Sequence, residues 1–152
     1  MNIPILTACA GFLLAVLWMD LMFDTQAELR GADPDESVVA SIAAYYRRAT
    51  TTSQPMGTLI AVVMGALLVC LGIEAWRGGR PTWVLIASAV LAGGPILVAM
   101  LRTVPNAVRL GRRSDSPAQQ SRLARAIYRD HIFCLTGMAA FLLLWLTVVP
   151  RV

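Results

Sequence analysis

Two aspartates stand at the end of the first hydrophobic segment, in the stretch LWMDLMFD (17–24). Asp20 and Asp24 are four residues apart, so a helix would place both carboxylates on one face. A charged side chain is costly inside a bilayer and usually faces the interior of a helix bundle, where it pairs with other polar groups. The two acids therefore predict a polar site, and its chemistry depends on the groups that the rest of the chain brings to the same depth.

Candidate partners occur at the ends of the other hydrophobic segments and in the loop before the second one: Arg102, Asn106, Asp130 and His131, with Tyr45 and Tyr46 close by. Three chemistries remain open. In the first, an aspartate pairs with Arg102 and ties the first segment to the third. In the second, an acid orients His131, which acts as a base beside an apolar cavity and takes a proton from a hydrophobic phenol or hydroquinone. In the third, Asp20, Asp24 and His131 bind a divalent metal; proton or ion translocation is a further alternative.

The roles that follow are those that the second chemistry would require. The catalytic residues are predicted to be His131 and Asp20, and the substrate-binding residues Asn106, Arg102, Asp24 and Tyr46. Asp20 should be ionised and within reach of a basic group, whereas Asp24, nearer the headgroups, should matter less. A single histidine without an HxxxH or ExxH pattern is a weak metal signature, so we predict no metal site and no cofactor.

The composition predicts the elements that must position these residues. The chain has 152 residues, is 57% hydrophobic and 14% charged, and has a mean hydropathy of +0.65. Its four apolar runs, at about 3–23, 56–76, 82–101 and 131–149, are each close to the roughly 20 residues that cross a bilayer as a helix. We predict an all-α fold: a single domain over residues 1–152 that forms an integral membrane four-helix bundle.

The arginines predict the orientation of the bundle. Ten of the thirteen lie in the first and third loops, and the chain contains no lysine. By the positive-inside rule both long loops are cytoplasmic and both termini are outside. The lack of lysine and the abundance of Ala, Leu and Val suggest a GC-rich bacterial genome, hence a bacterial inner membrane. The apolar run before Cys9 is too short for a lipoprotein signal, so the first segment should remain as a helix.

Both long loops should contain an amphipathic helical segment on the cytoplasmic side. In the first, Asp33 and Pro34 are expected to start a helix that places Val38, Val39, Ile42, Tyr46 and Ala49 on one face. In the third, Ser116 and Pro117 begin a helix that should run unbroken through His131 into the last span, with Arg122, Arg125 and Arg129 on the face opposite His131. Pro95 should kink the third span.

Two motifs carry a resemblance to a known family. The motif TVPN (103–106) ends the third apolar run, and RDH (129–131) opens the last span after an arginine-rich helix. This layout resembles the anthrone oxygenase-like domain-of-unknown-function family of four-helix membrane proteins. The resemblance implies that Asn106 and His131 belong to the polar site, and that the activity is a cofactor-free oxygenation of a tricyclic anthrone to an anthraquinone, as in the fungal branch. This chain has Leu123, Ile127 and Tyr128 where tryptophans would be expected before the fourth helix.

We predict a small bacterial inner-membrane protein that binds or oxidises an apolar aromatic or quinone-like ligand at the cytoplasmic helix ends. The alternatives are a non-enzymatic accessory subunit that docks a partner, and a proton or small-solute transporter. The expected partners are membrane lipids, the aromatic ligand, and a second copy or another membrane protein. Nucleic acid is not expected, because the arginines cluster beside the membrane segments. Space between the inner helix ends favours a ligand, whereas a filled interior favours the accessory subunit.

Overall fold

The computed structural model describes residues 3–27, 35–52 and 54–148, and helices make up all of the regular structure in these ranges. The α-helices are Ile3–Asp24, Glu36–Arg47, Gln54–Arg77, Thr82–Ser88, Gly94–Val98, Val104–Arg112 and Pro117–Leu143. A 3-10 turn covers Thr25–Ala27, and π-helical turns cover Arg48–Thr52, Ala89–Gly93, Ala99–Thr103 and Leu144–Val148. The predicted all-α fold class is confirmed.

Four helical stretches are long and apolar enough to cross a membrane, which is the pattern of a multi-pass membrane protein. We call them span 1 to span 4: Ile3–Ala27, Pro55–Arg77, Thr82–Arg112 and Pro117–Thr147. Span 1 packs against spans 2 and 4, and span 4 packs against span 3. Spans 2 and 3 meet mainly near the turn that joins them, which leaves a gap between their other halves.

The helix Glu36–Arg47, called the loop helix, lies against the ends of spans 3 and 4. It begins with Asp35 in the N-cap position; the predicted starting residues Asp33 and Pro34 lie outside the described residues. As predicted, Val38, Val39, Ile42 and Tyr46 share its buried face. We call this end of the bundle the loop-helix end, and the end with the turn at residues 78–81 the hairpin end.

Two hydrophobic cores stabilise the two halves of the bundle. The core at the hairpin end joins all four spans and includes Leu6, Leu67, Val84, Phe141 and Trp145. The core at the loop-helix end joins the loop helix to spans 3 and 4 and includes Val39, Ile42, Leu110, Leu123 and Ile127. The polar residues singled out from the sequence lie between these cores.

Span 3 continues as a helix past Leu101, where its apolar run ends, through Pro105 to Arg112. A proline lacks the N–H that an α-helix needs and its ring crowds the preceding turn. Here a π-helical turn precedes each proline: Ala89–Gly93 before Pro95 and Ala99–Thr103 before Pro105. Each wider turn accommodates its proline within the helix. Gly137 of span 4 packs so closely on Pro95 that an added Cβ would lie 2.7 Å from the proline Cγ.

The predicted long helix of span 4 is confirmed. The Ser116 hydroxyl accepts a hydrogen bond from the Gln119 backbone N–H at 3.4 Å, and the helix runs without a break from Pro117 to Leu143. Its phase leaves Arg122 and Arg129 exposed and buries His131. Near the other end of span 4 the Trp145 side chain is fully buried, and its Nε1 donates a hydrogen bond to Ser88 Oγ at 2.9 Å.

Candidate functional site

Asp24 and His131 form the centre of the polar layer. The Asp24 side chain is completely buried, and its Oδ2 lies 2.6 Å from His131 Nδ1. Its other oxygen, Oδ1, accepts a hydrogen bond of 2.7 Å from the Tyr46 hydroxyl. The three groups come from span 1, span 4 and the loop helix, so this contact joins three elements. Asp24 was expected to lie nearer the headgroups, within reach of water; it is instead fully buried, with the Tyr46 hydroxyl of the loop helix against it.

The contact with Asp24 fixes the orientation of the imidazole. An ionised carboxylate can only accept hydrogen bonds, so His131 donates its Nδ1–H to Asp24. In the neutral ring the lone pair is then on Nε2, on the opposite side. Asp24 therefore acts as an orienting group, and Nε2 of His131 is the atom available to act as a base.

Asp20 lies on the Nε2 side of His131. Its Oδ2 is 3.8 Å from Nε2, and its Oδ1 accepts a hydrogen bond of 2.6 Å from the Tyr45 hydroxyl. The expectation that Asp20 lies within reach of a basic group is confirmed, with His131 as that group. Tyr45 was noted in the sequence only as a neighbour of the site, and it is the direct hydrogen-bond partner of Asp20.

Arg102 does not pair with either aspartate of span 1. Its Nε lies 3.2 Å from Asp130 Oδ2, so the ion pair ties span 3 to span 4. The Thr103 hydroxyl also donates to Asp130, at 3.4 Å. The interpretation of Arg102 as a tie between the first and third spans is therefore wrong; the side chain is 61% exposed and directed toward span 4.

The two tyrosines of the loop helix serve as hydrogen-bond donors. Burial raises the pKa of the Tyr46 hydroxyl, and the negative charges of Asp24 and Asp20 raise it further. Burial and the hydrogen bond to Asp20 raise the pKa of Tyr45 in the same way. Both phenols therefore keep their protons at neutral pH, and each donates its proton to a carboxylate.

A cavity of about 510 Å³ lies beside this polar layer. Asp20, Tyr46 and His131 line one part of it, whereas Asp24 stands behind His131 and does not line it. Most of the remaining lining is apolar and comes from all four spans, including Leu17, Ile60, Met64, Pro95, Ile96, Ala99 and Met138. The cavity thus combines an apolar wall with two acceptor atoms, Nε2 of His131 and Oδ2 of Asp20.

The cavity lies at the gap between spans 2 and 3. The lining residues Gly57 and Ala61 of span 2, and Met100 and Val104 of span 3, are exposed on the side of the bundle. They stand on the two edges of a lateral opening. In a membrane this opening would face the hydrocarbon, so an apolar molecule could enter without crossing water.

The structure brings four of the six predicted site residues together: Asp20, Asp24, Tyr46 and His131. Arg102 and Asn106 are not among the described residues that line the cavity, and Asn106 is half-buried on span 3. Thr103 and Cys134 do line it and were not predicted. The signal for Cys134 was available, because it follows His131 by three residues and therefore shares its helix face.

A metal site is not supported by this arrangement. Asp24 approaches the imidazole at Nδ1 and Asp20 approaches it at Nε2, so the two carboxylates lie on opposite sides of the ring. They cannot converge with one ring nitrogen on a single ion. Within residues 3–27, 35–52 and 54–148 no group of three or more His, Cys, Asp or Glu side chains has a geometry that could hold a metal ion.

Comparison with protein-family models, curated proteins and solved structures gave no match to this chain. Of the two residues that the anthrone oxygenase-like resemblance assigns to the site, His131 lines the cavity and Asn106 does not.

Proposed function

We propose that this protein binds an apolar aromatic compound with a ring hydroxyl, taken laterally from the membrane, and that His131 removes the hydroxyl proton. The observation that carries the proposal is that His131 lines an apolar cavity while a buried carboxylate holds its Nδ1 at 2.6 Å. Because Nδ1 is engaged, Nε2 is the ring nitrogen left to meet a ligand. This is the arrangement of an oriented general base beside a hydrophobic binding site.

The charges around the imidazole support proton transfer to Nε2. When the ring takes the ligand's proton it becomes an imidazolium between Asp24 and Asp20, at 2.6 and 3.8 Å. Both carboxylates stabilise this positive charge, and burial strengthens the interaction because water screens it poorly there. Tyr46 holds Asp24 in place through its hydroxyl.

Deprotonation makes an aromatic ring more electron-rich and easier to oxidise. A cofactor-free oxygenation, the activity that the family resemblance implies, requires such a step before dioxygen reacts with the ring. We therefore propose that dioxygen oxidises the bound, deprotonated ligand: a ring carbon gives up two hydrogens, one oxygen atom becomes its carbonyl oxygen, and the other leaves with the two hydrogens as water. An accessory subunit needs a filled interior and a partner; a cavity of about 510 Å³ at the polar layer argues for a ligand instead.

We also propose that the protein lies in a bacterial inner membrane with the loop-helix end in the cytoplasm. The support is the arginine distribution in the sequence: ten of the thirteen lie between the first and second or between the third and fourth apolar runs. Both termini are then periplasmic. A C-terminal alkaline phosphatase fusion should be active and a C-terminal green fluorescent protein fusion dark; the reverse result would refute the orientation.

A chromogenic ligand tests the proposed proton abstraction directly. An alkyl nitrophenol absorbs visible light as the phenolate and not as the phenol. Added to the full-length protein in detergent at a pH well below the pKa of the free nitrophenol, where the free ligand is in the phenol form, it should show the phenolate band on binding. His131→Gln removes the base and should leave the bound ligand in the phenol form.

Asp115→Asn is the matched control for this experiment, because Asp115 pairs with Arg109 at 2.7 Å and neither residue is in the described cavity lining. The control should keep the phenolate band. Octylbenzene, which has the same tail and no hydroxyl, should bind more weakly than octylphenol. If octylbenzene and octylphenol bind equally, or if His131→Gln keeps the phenolate band, the proposed function is wrong.

A further inference from the structure

We propose that the ligand of this cavity carries two hydroxyls on neighbouring ring carbons, as a catechol does. One hydroxyl donates to Nε2 of His131 and the other to Oδ2 of Asp20. This proposal rests on the proposed function above and specifies the class of substrate for the same site. It follows from the acceptor atoms of the described cavity-lining side chains that no hydrogen bond within the protein engages.

The first step concerns the two acceptors. Nε2 of His131 and Oδ2 of Asp20 are 3.8 Å apart, which is too far for a direct hydrogen bond. The other atoms of both groups are already engaged: Asp20 Oδ1 with the Tyr45 hydroxyl at 2.6 Å, and His131 Nδ1 with Asp24 at 2.6 Å. Nε2 and Oδ2 thus contact each other only at 3.8 Å, and both residues line the cavity, so a ligand that reaches them can be bound by both.

The second step concerns the donors. Four other side chains in the described lining carry a hydroxyl or a thiol, and all four donate to protein acceptors: Tyr46, Thr50, Thr103 and Cys134. These hydrogen bonds measure 2.7, 2.7, 3.4 and 3.5 Å in that order. The lining thus offers two acceptors and no spare side-chain donor, so a bound molecule has to supply the donors.

The third step matches the spacing of the acceptors to the ligand. Hydroxyls on neighbouring ring carbons point the same way, and each can donate to one of two acceptors 3.8 Å apart. A simple phenol satisfies one acceptor and leaves the other without a partner. A para-hydroquinone directs its second hydroxyl away from the acceptors and into the apolar wall, where an unsatisfied polar group is costly.

The apolar part of the cavity determines which substituent the catechol can carry. The lining away from Asp20 and His131 is mostly apolar and reaches the lateral opening between Gly57 and Ala61 on one edge and Met100 on the other. An alkyl chain on the catechol would lie along this wall and extend into the membrane. The geometry points to a lipid-soluble alkylcatechol.

A tail-matched series tests the inference on the unmodified protein. Octylcatechol, octylresorcinol, octylhydroquinone, octylphenol and octylamine are titrated into the full-length protein in detergent, under argon with ascorbate so that the catechol is not oxidised. Affinity is read by calorimetry and by protection of Cys134 from a maleimide, in a background with Cys9 and Cys70 replaced by alanine. Octylcatechol should bind about tenfold more tightly than octylphenol or octylhydroquinone, because it makes one further hydrogen bond to a charged acceptor.

Variants test whether the second hydroxyl of the catechol donates to Asp20. In Asp20→Asn the Tyr45 hydroxyl still donates to the side-chain oxygen, so the amide NH2 faces the cavity and offers a donor instead of an acceptor. The preference for octylcatechol over octylphenol should then disappear, while octylphenol still binds through His131. Asp115→Asn, whose carboxylate pairs with Arg109 away from the described lining, is the matched control and should keep the preference.

The outcomes separate this inference from the proposed function. Equal binding of the catechol, the hydroquinone and the phenol would overturn the inference and leave the proposed function standing. Failure of all the hydroxylated ligands to bind would overturn both. Tighter binding of octylamine than of octylcatechol would show a site for a cation and overturn the inference. If Asp20→Asn does not fold, the series on the unmodified protein still decides.

Discussion

Two buried carboxylates, at opposite ends of the bundle, have different kinds of partner. Glu74 at the hairpin end is 5% exposed and lies 4.0 Å from Arg77 NH1 and 3.7 Å from Arg80 Nε. The turn that returns Arg80 to it uses Gly78 and Gly79, whose φ angles of 68° and 84° suit glycine. Asp24 at the loop-helix end is fully buried and contacts His131 instead.

The difference lies in what each partner can do. A guanidinium keeps its charge at every pH that a protein normally meets, so a pair of arginines can hold Glu74 but cannot exchange protons with it. An imidazole gains and loses a proton near neutral pH. The carboxylate at the hairpin end is therefore suited to holding a turn, and the one at the loop-helix end to orienting a base. The second lies next to a cavity lined by its partner.

Removal of the basic partner of each carboxylate should give the largest difference in stability loss between the two ends of the bundle. His131→Ala leaves Asp24 buried without its closest partner, and we expect a loss of about 3 kcal/mol in the free energy of unfolding. Arg80→Ala leaves Glu74 with Arg77, and the loss should be about 1 kcal/mol. Denaturant titration of both variants in the same detergent measures the difference. Equal losses would mean that the two acids have equivalent environments.

Helix phase explains how much of the site could be predicted from the sequence. The four-residue spacing of Asp20 and Asp24, and the unbroken helix from Pro117, were enough to place both acids and His131 on inward faces. The all-α class and the membrane-spanning lengths followed from the apolar runs alone. These inferences succeeded because each residue of a regular α-helix is rotated about the helix axis by a known angle from the residue before it.

Arg102 and Asn106 were assigned to the site because they lie at the same depth as the two acids, and depth does not say which face of span 3 a residue occupies. The π-helical turn Ala99–Thr103 also inserts an extra residue and rotates the chain beyond it, so the sequence alone gives no reliable face there. The cavity is a gap between two spans, and no single segment encodes it.

Disturbing the close contact between the loop helix and span 3 should cause the next largest loss of stability. A Cβ on Gly111 would lie 2.9 Å from the Arg47 backbone nitrogen, so Gly111→Ala must push the loop helix away and pull Tyr46 from Asp24. We expect a loss of about 2 kcal/mol and weaker phenol binding. Gly72→Ala, in span 2 near Glu74, meets nothing within 4 Å and should change neither. Equal sensitivity at both glycines would contradict the comparison.

Neutralising each acid without changing its shape tests its role in binding. In Asp24→Asn the amide donates to Nδ1, which moves the ring proton to Nε2 and turns the acceptor in the cavity into a donor. Octylphenol should bind about tenfold more weakly. Glu74→Gln at the hairpin end should leave the affinity unchanged, as measured by the same calorimetric titration. A loss of affinity in Glu74→Gln would mean that the two ends are coupled.

The smallest effect should appear at alkaline pH, and only at the loop-helix end. The pKa of Tyr46 is raised in the folded protein, by burial and then by Asp24 and Asp20. The folded state therefore keeps this proton where the unfolded state begins to lose it, near pH about 10. Stability from this group is fully present below that pH and falls as the pH rises above it.

For one tyrosine the expected loss in the free energy of unfolding between about pH 9 and about pH 10.5 is roughly 0.8 kcal/mol. The chain has no lysine, and a background with Cys9, Cys70 and Cys134 replaced by alanine removes the thiols that also titrate in this range. In that background Tyr46→Phe should be less stable at neutral pH, because Asp24 loses a donor, but should lose less stability on going to alkaline pH. Tyr45→Phe should reduce the alkaline loss in the same direction, since burial and Asp20 raise its pKa too. An unchanged pH dependence of stability in both variants would mean that folding does not raise the pKa of either phenol.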